Sequence, residues 1–378
     1  MFLEATKIRN PNLIHSAVDL HQAADIPPNT YVIDMDTVAA NTRALAEKAR
    51  EHDFSLYFMT KQLGRIPKLA QWVANYGIQK AVAVEWSEAY RLHQNGIAVG
   101  HAGHLVQPGK HQWPDLLKMN LEVVTVFSAA RAAQVSAAAV SLGIVQPVLL
   151  RVMEHGDRIY PSQEGGFQLA HLTEQLPQLL ALPGIRIEGV TSFPALELKE
   201  NQQLVPTTNV HTLHRAVALL QDEGIDVRQV NAPSATSCET IPMLKELGVT
   251  HGEPGHALTG TTPSHAVNFH LEEKPSLVYV SEVSHDHYVI GGGFYERGNI
   301  ESACVGAASS DLRTVRAKQP KIGYIDYYGS LDENEDYAPG DSVVYAFRTQ
   351  IFVTRANVAL VTGIQAGKPK IVHFERRY

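Results

Sequence analysis

The sequence predicts a (β/α)8 barrel of the TIM type followed by a C-terminal β-rich domain. Three observations predict it. Short β-branched or aromatic runs recur from residue 31 to residue 254, amphipathic stretches lie between them, and near residue 266 the texture changes to closely spaced strands without long helices. Strand–helix repetition implies a parallel sheet, because parallel neighbours need a crossover between them. An open doubly wound sheet is the alternative. No Gly-rich dinucleotide fingerprint follows any of the runs, so the barrel is preferred.

The runs lie at 31–36, 55–60, 81–84, 101–107, 123–128, 147–153, 185–192, 229–234 and 250–254. Nine is one more than a closed eight-stranded barrel takes. The stretch 37–52 reads as a helix, with Asn41 and Arg43 facing out and Leu45 facing in. Gly77, Gly96, Gly143, Gly224 and Gly248 stand where left-handed caps end helices. Past residue 266, strands are expected at 276–284, 288–293, 321–328, 342–354 and 357–361, with an exposed acidic turn over 332–336. The expected domains are an N-terminal segment, 1–54, with one strand and helix partly packing with the C-terminal domain; the barrel, 55–265; and the β domain, 266–378.

Composition narrows the function classes. The 378 residues are 44% hydrophobic and 19% charged, a globular composition and not a disordered or coiled-coil one. The net charge of −7 argues against sequence-independent nucleic-acid binding, which needs cations to neutralise phosphates. Cys238 and Cys304 make no disulfide framework and match no zinc spacing. The first twenty residues carry Glu4 and Asp19 in place of an apolar signal core, and no uninterrupted apolar run reaches the ~18 residues of a membrane span. The expected setting is the cytoplasm, away from membranes.

Three segments carry candidate chemistry. Lys61 follows the apolar run Tyr57-Phe58-Met59, at the carboxyl end of a strand, which is the active-site face of a parallel barrel. A lysine near apolar surroundings can form a Schiff base with an aldehyde; a solvated rim lysine is the bland alternative. Asn231-Ala232-Pro233-Ser234-Ala235-Thr236-Ser237-Cys238 is a run of small hydroxyls before a helix, and it suits either helix capping or phosphate binding. Gly252-Glu253-Pro254-Gly255-His256-Ala257-Leu258-Thr259-Gly260-Thr261-Thr262 allows close backbone approach and adds hydroxyls, or is an ordinary turn. Two donor-rich strand ends late in a barrel are the usual place for a phosphate. With an earlier lysine, they suggest a phosphorylated aldehyde cofactor.

On these stretches, and on Phe347-Arg348-Thr349-Gln350-Ile351-Phe352-Val353, the sequence resembles the fold-type III pyridoxal-phosphate enzymes, the alanine-racemase-like class, and most closely its YhfX group. The resemblance implies that the run 31–36 precedes the barrel, which leaves eight strands. It gives Lys61 the Schiff-base role and Arg65, four residues on and on the same helical face, a phosphate contact. Ser234, Thr236 and the Gly255–His256 backbone fall in the remaining cofactor cradle. Arg158 falls where the class places an arginine near the cofactor's phenolic oxygen; a surface arginine is the alternative. Ser192 replaces a histidine that often stacks on the cofactor ring. Glu253 replaces an arginine beside the pyridine nitrogen, and Glu253-Pro254-Gly255 resembles the basic amino-acid decarboxylases of the same fold.

The resemblance implies an amino-acid racemase working as a homodimer on pyridoxal 5′-phosphate, with a second proton carrier opposite Lys61. Alanine racemases take it from a tyrosine of the partner's β domain. That position aligns near Gly291, and Tyr295 is expected to fill the role, a packed core tyrosine being the alternative. Arg348 is expected to bind the substrate carboxylate. A decarboxylase or lyase is the first alternative, argued from Glu253, and a non-catalytic cofactor-binding protein the second. His211 with His214, and His285 with His287, lack the three or four converging ligands of a metal site, and no metal is expected.

Overall fold

The computed structural model describes residues 1–321 and 323–377. The chain divides into two compact units: residues 45–60 with 73–255, and residues 1–44 with 61–72 and 256 to the end of the described chain.

The first of these is a parallel barrel. Its strands run in the order Phe58–Met59, Ala81–Ala83, Val99–Ala102, Val123–Val126, Gln146–Met153, Ile185–Thr191, Gln229–Asn231 and His251–Gly252. His251–Gly252 then pairs with Ser55–Leu56, which is the first half of the opening strand. The interruption between Leu56 and Phe58 lets one stretch of chain pair with the last strand by its first half and with the second strand by its second half. That closes the cylinder and removes both sheet edges.

The strands read as continuous apolar runs because their interior face is packed and their exterior is covered by helices. Tyr57, Met59, Val82 and Val84 form one buried cluster within the unit. The close approach of neighbouring strands fixes Gly189, where a Cβ would run into the Gln229 carbonyl oxygen. The helix-ending glycines at 77, 96, 143, 224 and 248 all have positive φ, as their positions predict.

The second unit is built on a nine-stranded sheet of mostly antiparallel strands. Strand Thr30–Asp34 lies inside that sheet, antiparallel to Leu277–His285 and parallel to Asn357–Thr362. This explains the surplus run of the sequence: it is not a barrel strand. Helix Met35–Glu51 follows it, its first turn held by Asp34, whose carboxylate accepts from the Thr37 N–H at 3.2 Å and the Thr37 hydroxyl at 2.7 Å.

Two helices, Phe2–Arg9 and Pro11–Gln22, were not anticipated. Pro11 at the first helical position and the spacing of Leu13, Ile14, Ala17 and Val18 are the signals that mark the second one. It lays those side chains on Val32, Val278, Val280 and Val344 of the sheet, each such burial contributing about 1.5–3 kcal/mol. The expected strand 321–328 is corrected: position 322 lies outside the described residues, 323–327 form no strand, and the strand is Tyr328–Leu331. The expected strand 342–354 is shorter, Ser342–Tyr345, and ends in a 3-10 turn at Ile351–Val353. Strands Ser302–Gly306, Arg313–Lys318 and Lys370–Glu375 went unread. No helix among the described residues is long and apolar enough to cross a membrane.

Candidate active site

The carboxyl ends of the barrel strands carry a buried polar network. Glu253 follows the last strand, and its side chain is fully buried. Its Oε1 lies 2.6 Å from Nδ1 of His101 and accepts from Asn231 Nδ2 at 3.2 Å. His101 sits on Val99–Ala102, which does not neighbour the last strand, so this bond crosses the barrel interior. Nε2 of His101 lies 2.7 Å from Thr125 Oγ1 on the next strand. The Glu253 N–H donates to Thr236 Oγ1 at 3.0 Å. Glu253 Oε2 is buried without a hydrogen-bond partner; His104 Nε2 stands 3.9 Å from it.

Burial pushes the Glu253 carboxyl upward, but His104 and His101 beside it, and the hydrogen bonds from His101 and Asn231, hold it below the usual carboxylate range. The result is an ionised carboxylate with one oxygen hydrogen-bonded twice and the other buried without a hydrogen-bond partner. None of His101, His104 and Thr125 was singled out in the sequence. The one signal available was a polar residue interrupting an apolar run near a strand's carboxyl end.

Of the hydroxyl run, Thr236 supports the Glu253 main chain. Ser234 is engaged elsewhere: its Oγ accepts from the Leu196 N–H at 3.1 Å and donates to the Leu196 carbonyl at 2.9 Å. Arg158 is exposed, and its backbone is held by Asn209 at 2.9 and 3.1 Å. The buried arginine of that region is Arg151, which donates to the Gln163 carbonyl at 2.7 Å and to the His104 carbonyl at 3.4 Å, its guanidinium 4.9 Å above the Phe127 ring. Ser192 is buried and accepts from Asn209 Nδ2 at 3.1 Å.

Lys61 comes two residues after the strand Phe58–Met59 and opens a 3-10 turn, Lys61–Leu63. Thr60, just before it, is fixed by the buried carboxylate of Glu88, which accepts from the Thr60 hydroxyl and from the Val84 N–H at 2.9 Å. Glu88 is a second residue that sequence reasoning missed. The expected helical face shared by Lys61 and Arg65 is corrected. Gly64 and Arg65 both take positive φ, and Ile66 precedes Pro67, a position disfavoured for helix, so the turn breaks before the helix Pro67–Asn75 begins. The Arg65 guanidinium stacks 4.1 Å above the Phe352 ring.

In the same unit, Nε of Arg348 donates to Nε2 of His256 at 3.2 Å. That ring nitrogen must carry a lone pair, so His256 is neutral and its Nδ1 is the donor to Thr261 Oγ1 at 3.1 Å. Burial first, then the charges of Arg348 and Lys61, hold the His256 imidazole well below its usual range. Thr259 Oγ1 donates to the His256 carbonyl at 3.1 Å. Behind this turn, His265 and Glu273 form a buried pair 3.4 Å apart. Tyr295 is half-buried; its carbonyl accepts from the Gly298 N–H at 2.9 Å and from Gln319 at 3.0 Å. His214 contacts the Leu247 carbonyl at 2.7 Å, and His285 and His287 lie against the Tyr288 ring.

A cavity of about 680 Å³ opens at the opposite, amino-terminal end of the barrel strands, near Tyr57, Lys80, Glu122, Arg228 and His251. Its charged rim is internally paired, Lys80 with Glu122, and Arg186 and Arg228 with Glu188, and it lies away from the strand ends that carry the polar network.

Residues 33–263 match the sequence family described as alanine racemase, N-terminal domain, and residues 278–371 that described as YhfX-like, C-terminal domain. The uncharacterized protein YhfX of Escherichia coli strain K12 is 43% identical over 378 residues, 98% of this chain and 97% of that protein. Among solved structures, an alanine racemase of Clostridium difficile 630 in complex with cycloserine superposes with a TM-score of 0.67 at 17% identity, over 93% of this chain and 98% of that one. A D-threonine aldolase of Filomicrobium marinum gives 0.69 at 14%, over 94% and 96%. A diaminopimelate decarboxylase of M. jannaschii with L-lysine gives 0.63 at 14%, over 92% and 89%. At these identities the solved structures establish the fold, and they span three reaction types.

Proposed function

The chain belongs to the alanine racemase-like fold-type III family, with an alanine racemase N-terminal domain and a YhfX-like C-terminal domain, and from that premise we propose that it binds pyridoxal 5′-phosphate and exchanges the Cα proton of an amino acid, as a racemase. The observation that carries the cofactor is Glu253 Oε2, a buried carboxylate oxygen without a hydrogen-bond partner. A protonated pyridine nitrogen is a donor of the matching kind.

Lys61 would hold the cofactor covalently, with the backbone at Gly255 and His256 and the Arg65 guanidinium toward its phosphate. Ser234 fits that role poorly, because its hydroxyl already serves Leu196 in both directions. When bound, the cofactor supplies an electron sink for negative charge at Cα. Lys61 Nζ takes or returns the Cα proton on one face. Arg348, its Nε fixed on His256, pairs its guanidinium with the substrate carboxylate. Tyr295 of the partner subunit serves the opposite face of Cα in a homodimer. The exposed aromatic run Tyr324, Tyr327 and Tyr328 supports such a partner. A fully active monomer in equilibrium sedimentation would remove the partner tyrosine from the scheme.

The ionised Glu253 favours a second reading. A carboxylate at the ring nitrogen strengthens the electron sink beyond what proton exchange requires, which suits decarboxylation or side-chain cleavage. Incubating single enantiomers in deuterium oxide separates the two. Deuterated antipode supports the racemase; amine with carbon dioxide, or an aldehyde with a smaller amino acid, supports the second reading. If no amino acid changes the cofactor's absorbance, the chain is a cofactor-binding protein without catalysis.

A further inference from the structure

We infer that His101 is the positioning residue of the site: from across the barrel it holds Oε1 of Glu253 and so aims Oε2, ionised, at a cationic donor. The inference rests on the reading of Glu253 given above and extends it to a residue that touches neither substrate nor cofactor.

The argument is one of donors and acceptors. An ionised carboxylate only accepts, so at the 2.6 Å contact His101 Nδ1 must be the donor. Nε2 lies 2.7 Å from Thr125 Oγ1, which accepts from a cationic ring and donates to a neutral one. Both ring nitrogens are used, and in either state Nδ1 donates to Glu253. With Asn231 Nδ2 on the same oxygen at 3.2 Å, Oε1 is satisfied twice, while Oε2 has no partner.

A carboxylate anchored at one oxygen and on its backbone, through Thr236 at 3.0 Å, cannot rotate to use both oxygens on the barrel wall. Its free oxygen is pre-aimed, and no reorganisation is needed when a cation arrives. The other titratable groups bearing on Glu253 are His104 at 3.9 Å, and Tyr57 and His251 at longer range. None of these three donates a hydrogen bond to it among the described residues, so His101 is the titratable group that sets its geometry.

Two substitutions separate positioning from mere packing, because they move the donor along the ring. His101→Asn puts an amide N–H near the Nδ1 position and keeps the Glu253 contact while losing Thr125. His101→Gln reaches toward Thr125 and loses Glu253. The readout is the pH at which the Glu253 side-chain 13C carboxyl signal titrates in the purified protein, with the signal assigned by its disappearance in Glu253→Gln. His101→Gln should raise that midpoint by at least one pH unit, tenfold in proton affinity; His101→Asn should leave it within a few tenths. Thr125→Val, nearly isosteric, should move the midpoint in the same direction as His101→Gln but by less, and it serves if His101→Gln fails to fold. A native midpoint in His101→Gln and Thr125→Val, or equal shifts in His101→Asn and His101→Gln, overturns the inference. The cofactor reading is tested separately by the visible spectrum of Glu253→Gln. An unchanged spectrum there rejects Glu253 as the ring's partner, and with it the cationic donor at which His101 is said to aim.

Discussion

Arg348 and His256, 92 positions apart in sequence, meet through a 3.2 Å hydrogen bond in which the guanidinium Nε donates to the imidazole Nε2. The bond fixes the guanidinium through its Nε. It also requires the imidazole to stay neutral, and burial together with the charges of Arg348 and Lys61 ensures that it does.

Arg348→Lys replaces the fork with a point charge and cannot keep the His256 contact as well. The apparent substrate constant should rise about tenfold, the loss of a charge-assisted bond of ~1.4 kcal/mol, with cofactor content unchanged. Steady-state kinetics with the best substrate of an amino-acid screen checks this. A constant equal to the native one assigns Arg348 to the sheet's structure instead.

Lys61→Ala should abolish the visible absorbance of the cofactor–protein link. Borohydride reduction of the native protein, followed by peptide mapping, should place the label on the peptide that contains Lys61. A label on any other lysine ends the assignment.

Glu88→Ala should destabilise the barrel by about 3 kcal/mol, because a buried hydroxyl and a backbone N–H, from Thr60 and Val84, lose their shared acceptor. Glu88→Gln keeps one acceptor oxygen and should cost about half as much. Urea unfolding measures both. Because Thr60 precedes Lys61, cofactor content should fall in the alanine variant; equal stability of all three proteins would show that Thr60 and Val84 find other partners.

Stability should decline as pH falls below neutrality. Burial lowers the His251 pKa from 6.5 to about 4. Between those values the unfolded chain binds a proton that the folded chain does not, so acid favours unfolding throughout that window and the loss levels off below pH 4. For His251 alone the loss is up to about 3 kcal/mol. His21 and His256 are also lowered and act in the same sense. His251→Asn should flatten the difference between urea midpoints at pH 7 and pH 4.5; an unchanged difference assigns the acid sensitivity to the other two.

Much of the architecture is written locally. Strand runs and helix-ending glycines follow from short apolar β-branched segments and from the left-handed cap, both properties of a few adjacent residues. A lysine at the end of an apolar run is equally legible, since the run itself marks the strand's carboxyl end. Arg65 shows the limit: the four-residue spacing from Lys61 suggested a common helical face, but Gly64 and Pro67 break the turn, and the breakers outweigh the period.

The sequence alone determined that short parallel strands alternate with helices, nine runs by their texture and eight once the resemblance sets the run 31–36 before the barrel, that a β-rich domain follows, and that Lys61 and Glu253 sit at strand ends. Only the tertiary structure decided which strands flank the run 31–36 in the other sheet, that the opening strand pairs by halves to close the barrel, and that His101 meets Glu253. Those two residues are 152 positions apart on strands that do not neighbour each other. Periodicity can tell which face of a strand a residue takes. It carries no information about which residue looks back from the far wall, because that is set by closure of the barrel, and closure depends on every strand at once.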